Sequence, residues 1–385
     1  EAQIAIATAE KEPADYCFPN ALEAIEALQC VVDFAGKAPK ALYYLGNLWY
    51  DKRRYPTAIA AWERSSREDE TFPTVWRNLS LAYFNKMNRP DEAVALLEKA
   101  FRLDHTDARV LMELDQLYKR LNRPHIERLC FLEQHIDIVM TRDDLYLEYV
   151  TLLNQTGQYR EAIRRIDQRK FHPWEGGEGK VPAQYQLARL ELAKELINRK
   201  KYDDALALID ECYIYPTHLG EGKLPGAQEN DFNYYKAYIL QQQGRPEEAH
   251  SLFVKASSGN SQPAAAMYYN DQKPDKIFYQ GLAYRKLGEE EKARSRFNQL
   301  ITYGEEHLFD RFKMDYFAVS LPDLLIWEDD MDKKNRIHCN YLMALGHLGL
   351  GNRTKAEHFF DIAASMDNNH QGVQIHRKLM NTILS

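Results

Sequence analysis

The sequence predicts an all-α solenoid assembled from helical hairpins, and three observations carry that expectation. One pattern is written twice between residues 41 and 100. Its first copy reads Leu42, Leu45-Gly46, Trp49, Ala58, Trp62 and Ser65, and its second Trp76, Leu79-Ser80, Tyr83, Ala93, Leu97 and Ala100. The short residues fall on paired helices, Gly46 and Ser80 on a first helix, Ala58 and Ala93 on a second. Two antiparallel helices approach closely where a short side chain admits a bulky neighbour. The same pattern returns several times downstream. Two of its interruptions are copies of each other, every shared residue offset by 43 positions, which is the length of one enlarged repeat.

This spacing resembles the tetratricopeptide repeat, a helix-turn-helix unit of about 34 residues with aromatic, Leu-Gly, Tyr, Ala, aromatic and Ala at fixed offsets. The resemblance implies a right-handed superhelix of roughly eight hairpins with long loop insertions, the first helices lining its concave side.

In chain order, residues 20–35 carry Leu22, Ile25, Leu28, Val31 and Val32 as the stripe of an amphipathic helix that precedes or caps the first repeat. After the two clean copies comes a degenerate one at 111–132. It keeps Leu114, Leu117 and Tyr118 but has Ile126 and Arg128 where a small residue is expected, so the superhelix is expected to bend there. The fourth copy (Tyr149, Val150, Leu153, Gly157, Ala162, Ile166) is followed by an insertion at 167–182. The fifth (Leu192, Ala193, Leu196, Ala205, Ile209, Cys212) is followed by another at 213–230. The sixth (Ala237, Leu240, Gly244, Ala249, Phe253, Ala256) leads to a third insertion at 257–274. The seventh (Gly281, Tyr284, Leu287-Gly288, Ala293, Phe297, Leu300) leads to an irregular stretch ending near Lys334. The last copy (Ala344, His347, Gly351, Ala356, Phe360, Ala363) precedes a closing helix at 373–384. The organisation expected is an N-terminal segment and capping helix at 1–40, four repeats at 41–166, repeats with insertions at 167–302, and an irregular segment, last repeat and cap at 303–385.

A net charge of -7 offers no basic face for phosphate neutralisation, which argues against a nucleic-acid partner. No apolar run is long enough to cross a membrane and no basic-then-apolar leader opens the chain. Cys17, Cys30, Cys130, Cys212 and Cys339 are odd in number, widely spaced and form no Cys-x-x-Cys pair. Buried reduced thiols in a cytoplasmic protein are expected, without a metal site or another cofactor. The chain starts at Glu1 and is read as a fragment of a longer protein.

The insertions carry the functional expectation. Pro173, Gly177, Glu178, Gly179, Lys180 and Pro182 recur as Pro216, Gly220, Glu221, Gly222, Lys223 and Pro225, so stacked repeats place the two loops on one edge, one step apart. One reading is a solvated turn whose glycines take positive φ. The other is that Trp174, Glu175, Glu178 and Lys180 converge with His218, Glu221 and Lys223 on a polyhydroxylated or peptide ligand. A phosphate-binding loop is excluded, because Val181 and Leu224 stand where its Ser or Thr would hold magnesium.

The run 171–185, together with 309–316 and 321–324, resembles the C-terminal half of large bacterial tetratricopeptide proteins. Their N-terminal part is a β-sandwich domain similar to galactose mutarotase. That resemblance implies a carbohydrate-linked context and transfers no catalytic residue.

Aromatic residues Tyr43, Tyr50, Phe84, Tyr234, Tyr238, Phe278 and Tyr341 fall at groove-lining positions of first helices, where they either receive a peptide or sugar or pack against the next hairpin. The Lys and Asn set that holds a C-terminal carboxylate in chaperone-binding relatives looks absent. Asn47 and Asn78 match it, but Tyr43 and Glu113 replace its basic residues. The acids Glu328, Asp329, Asp330 and Asp332 lack the Gly and Glu spacing of a calcium loop and read as a helix entrance. His338 and His347 read as packing residues. No nucleophile or metal motif is visible, and Glu175 with Glu221 would be an acid–base pair mounted on loops. The function expected is a non-catalytic interaction scaffold that docks its own N-terminal domain or another protein. The alternative is a carbohydrate-binding accessory module that takes an oligosaccharide and completes a composite active site.

Overall fold

The computed structural model describes residues 2–14, 19–265, 271–311 and 326–380. Among these there are α-helices and one short 3-10 turn, no strand, and no helix long and apolar enough to cross a membrane. Cys17, residues 312–316 and 321–324 of the run noted above, and the end of the expected closing helix lie outside the described residues. The chain divides into two compact units, Glu1–Leu121 with Leu325–Glu328, and Asn122–Leu324 with Asp329–Ser385. The division falls inside the degenerate third copy.

The first unit holds α1 (Ala2–Ala9), α2 (Glu23–Phe34), the hairpin α3 (Pro39–Asp51) and α4 (Tyr55–Glu68), the hairpin α5 (Pro73–Asn85) and α6 (Pro90–Leu103), and α7 (Ala108–Arg120). A proline opens the first turn of α3, α4, α5 and α6, where its missing N–H costs nothing. Gly46 shows why the first hairpin closes. A Cβ there would lie 2.2 Å from the Trp62 ring, whose indole N–H donates to the Tyr43 carbonyl at 3.1 Å. In the second hairpin Ser80 holds the equivalent place and its hydroxyl donates to the Ala93 carbonyl at 2.6 Å. Val32 of α2 packs with Ala41, Leu42 and Leu45 of α3.

The second unit begins with α8 (His125–Gln134) and the short α9 (Ile136–Val139). Five hairpins follow: α10 (Asp143–Gln155) with α11 (Tyr159–Asp167), α12 (Lys180–Asn198) with α13 (Tyr202–Cys212), α14 (Asn230–Gln242) with α15 (Pro246–Ser257), α16 (Pro274–Lys286) with α17 (Glu290–His307), and α18 (Met331–Gly349) with α19 (Arg353–Met366). The last helix is α20 (Gln371–Leu379). Each turn from a first to a second helix holds one left-handed residue, at Arg53, Asn88, Asn122, Gly157, Lys200, Gly244, Gly288 and Gly351, with φ between 51° and 79°. The array is therefore regular in its turns even where its small residues are lost.

The final segment binds as a ligand would, through amides set along the unit. Asn122 Oδ1 accepts from the Asn368 N–H at 3.1 Å, Gln155 donates to the Asn369 carbonyl at 2.9 Å, and the side chains of Gln184 and Gln371 pair at 2.8 Å. Arg128, which replaces the expected small residue, is buried and donates both to Asn369 Oδ1 and to Glu148, each at 2.7 Å. The substitution that looked like a lost packing position is a buried guanidinium holding the chain's end. The cysteines also depart from expectation, because Cys212 and Cys339 are buried while Cys30 and Cys130 are exposed, all four unpaired.

Candidate functional site

The first insertion leaves α11 at Asp167 and enters α12 at Lys180. The second leaves α13 at Cys212, passes the 3-10 turn Thr217–Leu219 and enters α14 at Asn230. Two contacts from backbone donors of the first loop join them: the Phe171 N–H donates to the His218 carbonyl at 2.8 Å, and the Gly179 N–H donates to the Glu221 side-chain Oε2 at 2.7 Å. The buried Phe171 ring packs against Tyr146 of α10 at 6.0 Å, anchoring the first loop to its own repeat. Beside it Asp143 accepts from the His172 N–H at 2.9 Å and from Arg169 at 2.6 Å. Burial alone would raise the Asp143 pKa, but these donors hold it below the usual carboxylate value. The second loop meets the third in turn, through Gln228 Oε1 accepting from the Lys273 N–H at 3.0 Å.

Between the first two loops lies a cavity of about 280 Å³ walled by His172, Trp174, Glu175 and Glu178 on one side and Leu219 and Glu221 on the other. The Trp174 ring lies against Gly177, where an added Cβ would fall 2.3 Å from it. Glu178 accepts from the Gly176 N–H at 3.2 Å. Glu221 is half-buried and its pKa is raised, first by burial and then by the Glu178 charge, with the Gly179 N–H acting in the opposite sense. The cavity offers one aromatic face and several carboxylates.

Of the residues expected to converge, Trp174, Glu175, Glu178 and Glu221 meet there, and three do not. Lys223 is directed to its own loop, donating to the Tyr213 carbonyl at 3.0 Å and pairing with Glu229. His218 stands 3.8 Å from Asp167 and faces Tyr185, because its carbonyl is the loop-to-loop contact. Lys180 is the first residue of α12 and is not a wall of the cavity.

The groove expectation also needs correction. Tyr43, Tyr234, Phe278 and Tyr341 are buried core residues rather than groove walls. Tyr43 stands edge-on to Phe72 at 5.0 Å, Tyr234 packs between Phe253 and Tyr279, Phe278 sits on His376 at 5.6 Å, and the Tyr341 hydroxyl bonds His376 Nδ1 at 3.0 Å. The remaining three are half-exposed: Tyr50 against Tyr55, Tyr238 under Lys286, and Phe84 edge-on to Trp327 at 5.2 Å. Asn47 and Asn78 bond each other at 2.9 Å, and Arg77 pairs with Glu113 at 2.6 Å, so the carboxylate-holding positions are spent internally.

Sequence reasoning missed a buried polar layer in the second unit. Lys194 pairs with Glu191 at 2.5 Å, Lys276 with Asp231 at 2.5 Å, and the Tyr235 and Tyr279 hydroxyls lie 3.2 Å apart. His376 enters this layer neutral, its pKa lowered to about 3 by burial and then by Lys194. The available signal was Glu191 and Lys194 three apart on the face of α12 that should be apolar. Among the described residues no group of three His, Cys, Asp or Glu is placed to hold a metal ion.

Two segments match family models described as tetratricopeptide repeat, residues 73–107 and residues 277–303. Each of these two segments reads as a tetratricopeptide repeat. The first of these segments covers the second clean copy and the other the seventh. Among solved structures, the Naa15/Naa10 assembly bound to HypK-THB aligns over 93% of this chain and 63% of its own, at 12% identity and TM-score 0.41. This chain thus spans under two thirds of that relative's length. A tetratricopeptide repeat protein from Parabacteroides merdae aligns over 68% of this chain and 97% of its own, at 14% identity and TM-score 0.32. PilF of Pseudomonas aeruginosa aligns over 69% and 90%, at 13% identity and TM-score 0.23.

Proposed function

We propose that this tetratricopeptide chain is a non-catalytic interaction scaffold that recognises a cationic side chain of a partner protein at the cavity between its first two insertion loops. The partner is another protein or the N-terminal domain of a longer chain. The observation that carries this is the composition of the cavity wall: Trp174 beside Glu175, Glu178 and Glu221, with Lys223 and His218 turned elsewhere. A guanidinium or ammonium group over an indole face gains roughly 0.5–2 kcal/mol, and adjacent carboxylates add charge-assisted hydrogen bonds. Glu178 and Glu221 each accept from backbone N–H groups of the first loop, which favours a binding role over proton transfer.

The test is a peptide array of 12-mers probed with the chain at 50 and 500 mM salt, beside Trp174→Ala and Glu221→Gln. Captured peptides should be rich in Arg and Lys, lose at least tenfold in signal at high salt, and disappear with Trp174→Ala. Capture indifferent to charge and salt overturns the cationic reading.

The Trp174 platform also favours a second reading, an oligosaccharide stacked on the indole with the carboxylates accepting its hydroxyls. This predicts a saturable change of tryptophan emission with mono- and oligosaccharides that is absent in Trp174→Ala and unaffected by salt. A flat response across the panel removes it. A composite active site requires turnover in the longer protein that vanishes with Glu175→Gln or Glu221→Gln.

A further inference from the structure

Residues 326–328, Ile-Trp-Glu, lie in the first unit as a short non-helical segment held by its helices. Asn85, at the end of α5, grips the backbone with both ends of its amide: its Nδ2 donates to the Ile326 carbonyl and its Oδ1 accepts from the Glu328 N–H, each at 2.9 Å. Arg120 of α7 donates to the Trp327 carbonyl at 3.0 Å. The Trp327 side chain is 1% exposed, edge-on to Phe84, and its indole N–H donates to the Glu113 carbonyl at 3.1 Å. The Glu328 carboxylate pairs with Lys86. Apart from the Glu113 carbonyl within α7, these grips come from the side chains of Phe84, Asn85, Lys86 and Arg120, and none is a helix or sheet bond.

This is how a short peptide ligand is read: an amide clamp on the main chain independent of sequence, one deep pocket for a large side chain, and one charge at the rim. Three residues make a weak peptide. Tethering compensates for that weakness, because a linked segment meets its site at an effective concentration of about millimolar.

We propose that the face formed by α5 and α7 is an exchangeable peptide site for a short segment carrying a tryptophan followed by an acidic residue, occupied here by the chain's own residues 326–328. A partner's segment of that chemistry, longer and so tighter, displaces the resident one. This site is separate from the insertion-loop cavity, and neither reading depends on the other.

The experiment uses the full chain and a fluorescein-labelled Leu-Ile-Trp-Glu-Asp-Asp peptide, read by fluorescence anisotropy. Trp327→Ala empties the pocket and should bind the peptide saturably, at least tenfold more tightly than the unaltered chain, whose site is filled. Adding Asn85→Ala should reverse that gain, and a peptide with Ala in place of Trp should stay inert. Because Trp327→Ala removes a buried ring, Glu328→Arg is measured beside it; it opposes Lys86 and releases the segment while leaving the indole intact. A variant that keeps its helical circular dichroism and does not bind the peptide overturns the proposal, as does equal binding by the unaltered chain. Loss of folding in both variants overturns it too, since Trp327 would then be core and not a resident ligand.

Discussion

The first copy of the insertion motif, residues 173–182, turns directly into α12 at Lys180, whereas the second, residues 216–225, runs on as loop until α14 begins at Asn230. The shared glycines take opposite hands. Gly179 is left-handed at φ 72° and its counterpart Gly222 is not; Gly220 is left-handed at φ 77° and its counterpart Gly177 is not. The paths already part at these glycines, before the residue that follows each motif. Ala183 continues a helix whose first turn accommodates Pro182, but Gly226, at φ 82°, follows Pro225 into a turn closed by the Ala227 N–H on the Leu224 carbonyl at 3.3 Å. Identical motifs therefore sit at the same position on the array, yet their backbones take different courses within the motif itself. The difference makes the cavity: the first copy supplies the indole and the second supplies a half-buried carboxylate.

The largest test of this asymmetry is the glycine pair 177 and 220. In Gly220→Ala the new Cβ would fall 2.7 Å from the Phe171 carbonyl oxygen, which is backbone, at a left-handed φ. A cost of about 2–3 kcal/mol is expected, with opening of the contact between the loops. In Gly177→Ala the Cβ meets only the Trp174 ring, which can swing aside. That variant should lose less than about 1 kcal/mol yet shift the tryptophan emission. Urea midpoints and emission spectra of the two variants check this, and equal losses in both would break the comparison.

A smaller effect is expected from changing the residue that follows each motif. Gly226→Ala forces a side chain into φ 82° with no clashing neighbour, which costs about 1–2 kcal/mol. Ala183→Gly weakens the first turn of α12 by up to about 1 kcal/mol. Amide hydrogen exchange should show the loss at 224–230 in the first case and at 180–187 in the second.

The repeats were legible because close helix contacts demand small residues at fixed offsets, so Gly46, Ala58, Ser80 and Ala93 announce their geometry in any sequence. The edge position of the insertions followed from the same periodicity. Which side chains turn into the cavity did not, because Lys223 and His218 are drawn away by partners, Glu229 and the first loop, that no local pattern names. Groove residues failed for a similar reason. Tyr43 and Tyr341 carry the aromatic signal of a groove wall, but helices from the next repeat and from α20 cover them. Trp327 shows the reverse: it stands beside an acidic run that reads as a solvated helix entrance, and Asp330, accepting from the Lys333 N–H at 2.8 Å, and Asp332, in the first turn of α18, fill that role, whereas Glu328 pairs with Lys86.

The smallest expected effect concerns the motif carboxylates, Glu178 and Glu221. Burial and the Glu178 charge raise the Glu221 pKa above its ordinary value of 4.5. In the interval between those two values the folded chain holds a proton that the unfolded chain has released, so stability falls as pH rises through it. Above the interval the penalty is fully present; below pH 4.5 it is absent. Glu221→Gln removes the charge while its amide oxygen can still accept from the Gly179 N–H. The variant should therefore match the unaltered chain at pH 4 and exceed it by a few tenths of a kcal/mol at pH 7, a size set by solvent screening of a half-exposed group. Glu178→Gln should produce part of the same gain by removing the neighbouring charge, and combining the two should add less than their sum, because the second substitution finds no charge left to relieve. Thermal midpoints at the two pH values measure all three. A gain from Glu221→Gln that persists at pH 4 would show that its origin is packing and not the buried charge, and the contrast between the two motif copies would then rest on their glycines alone.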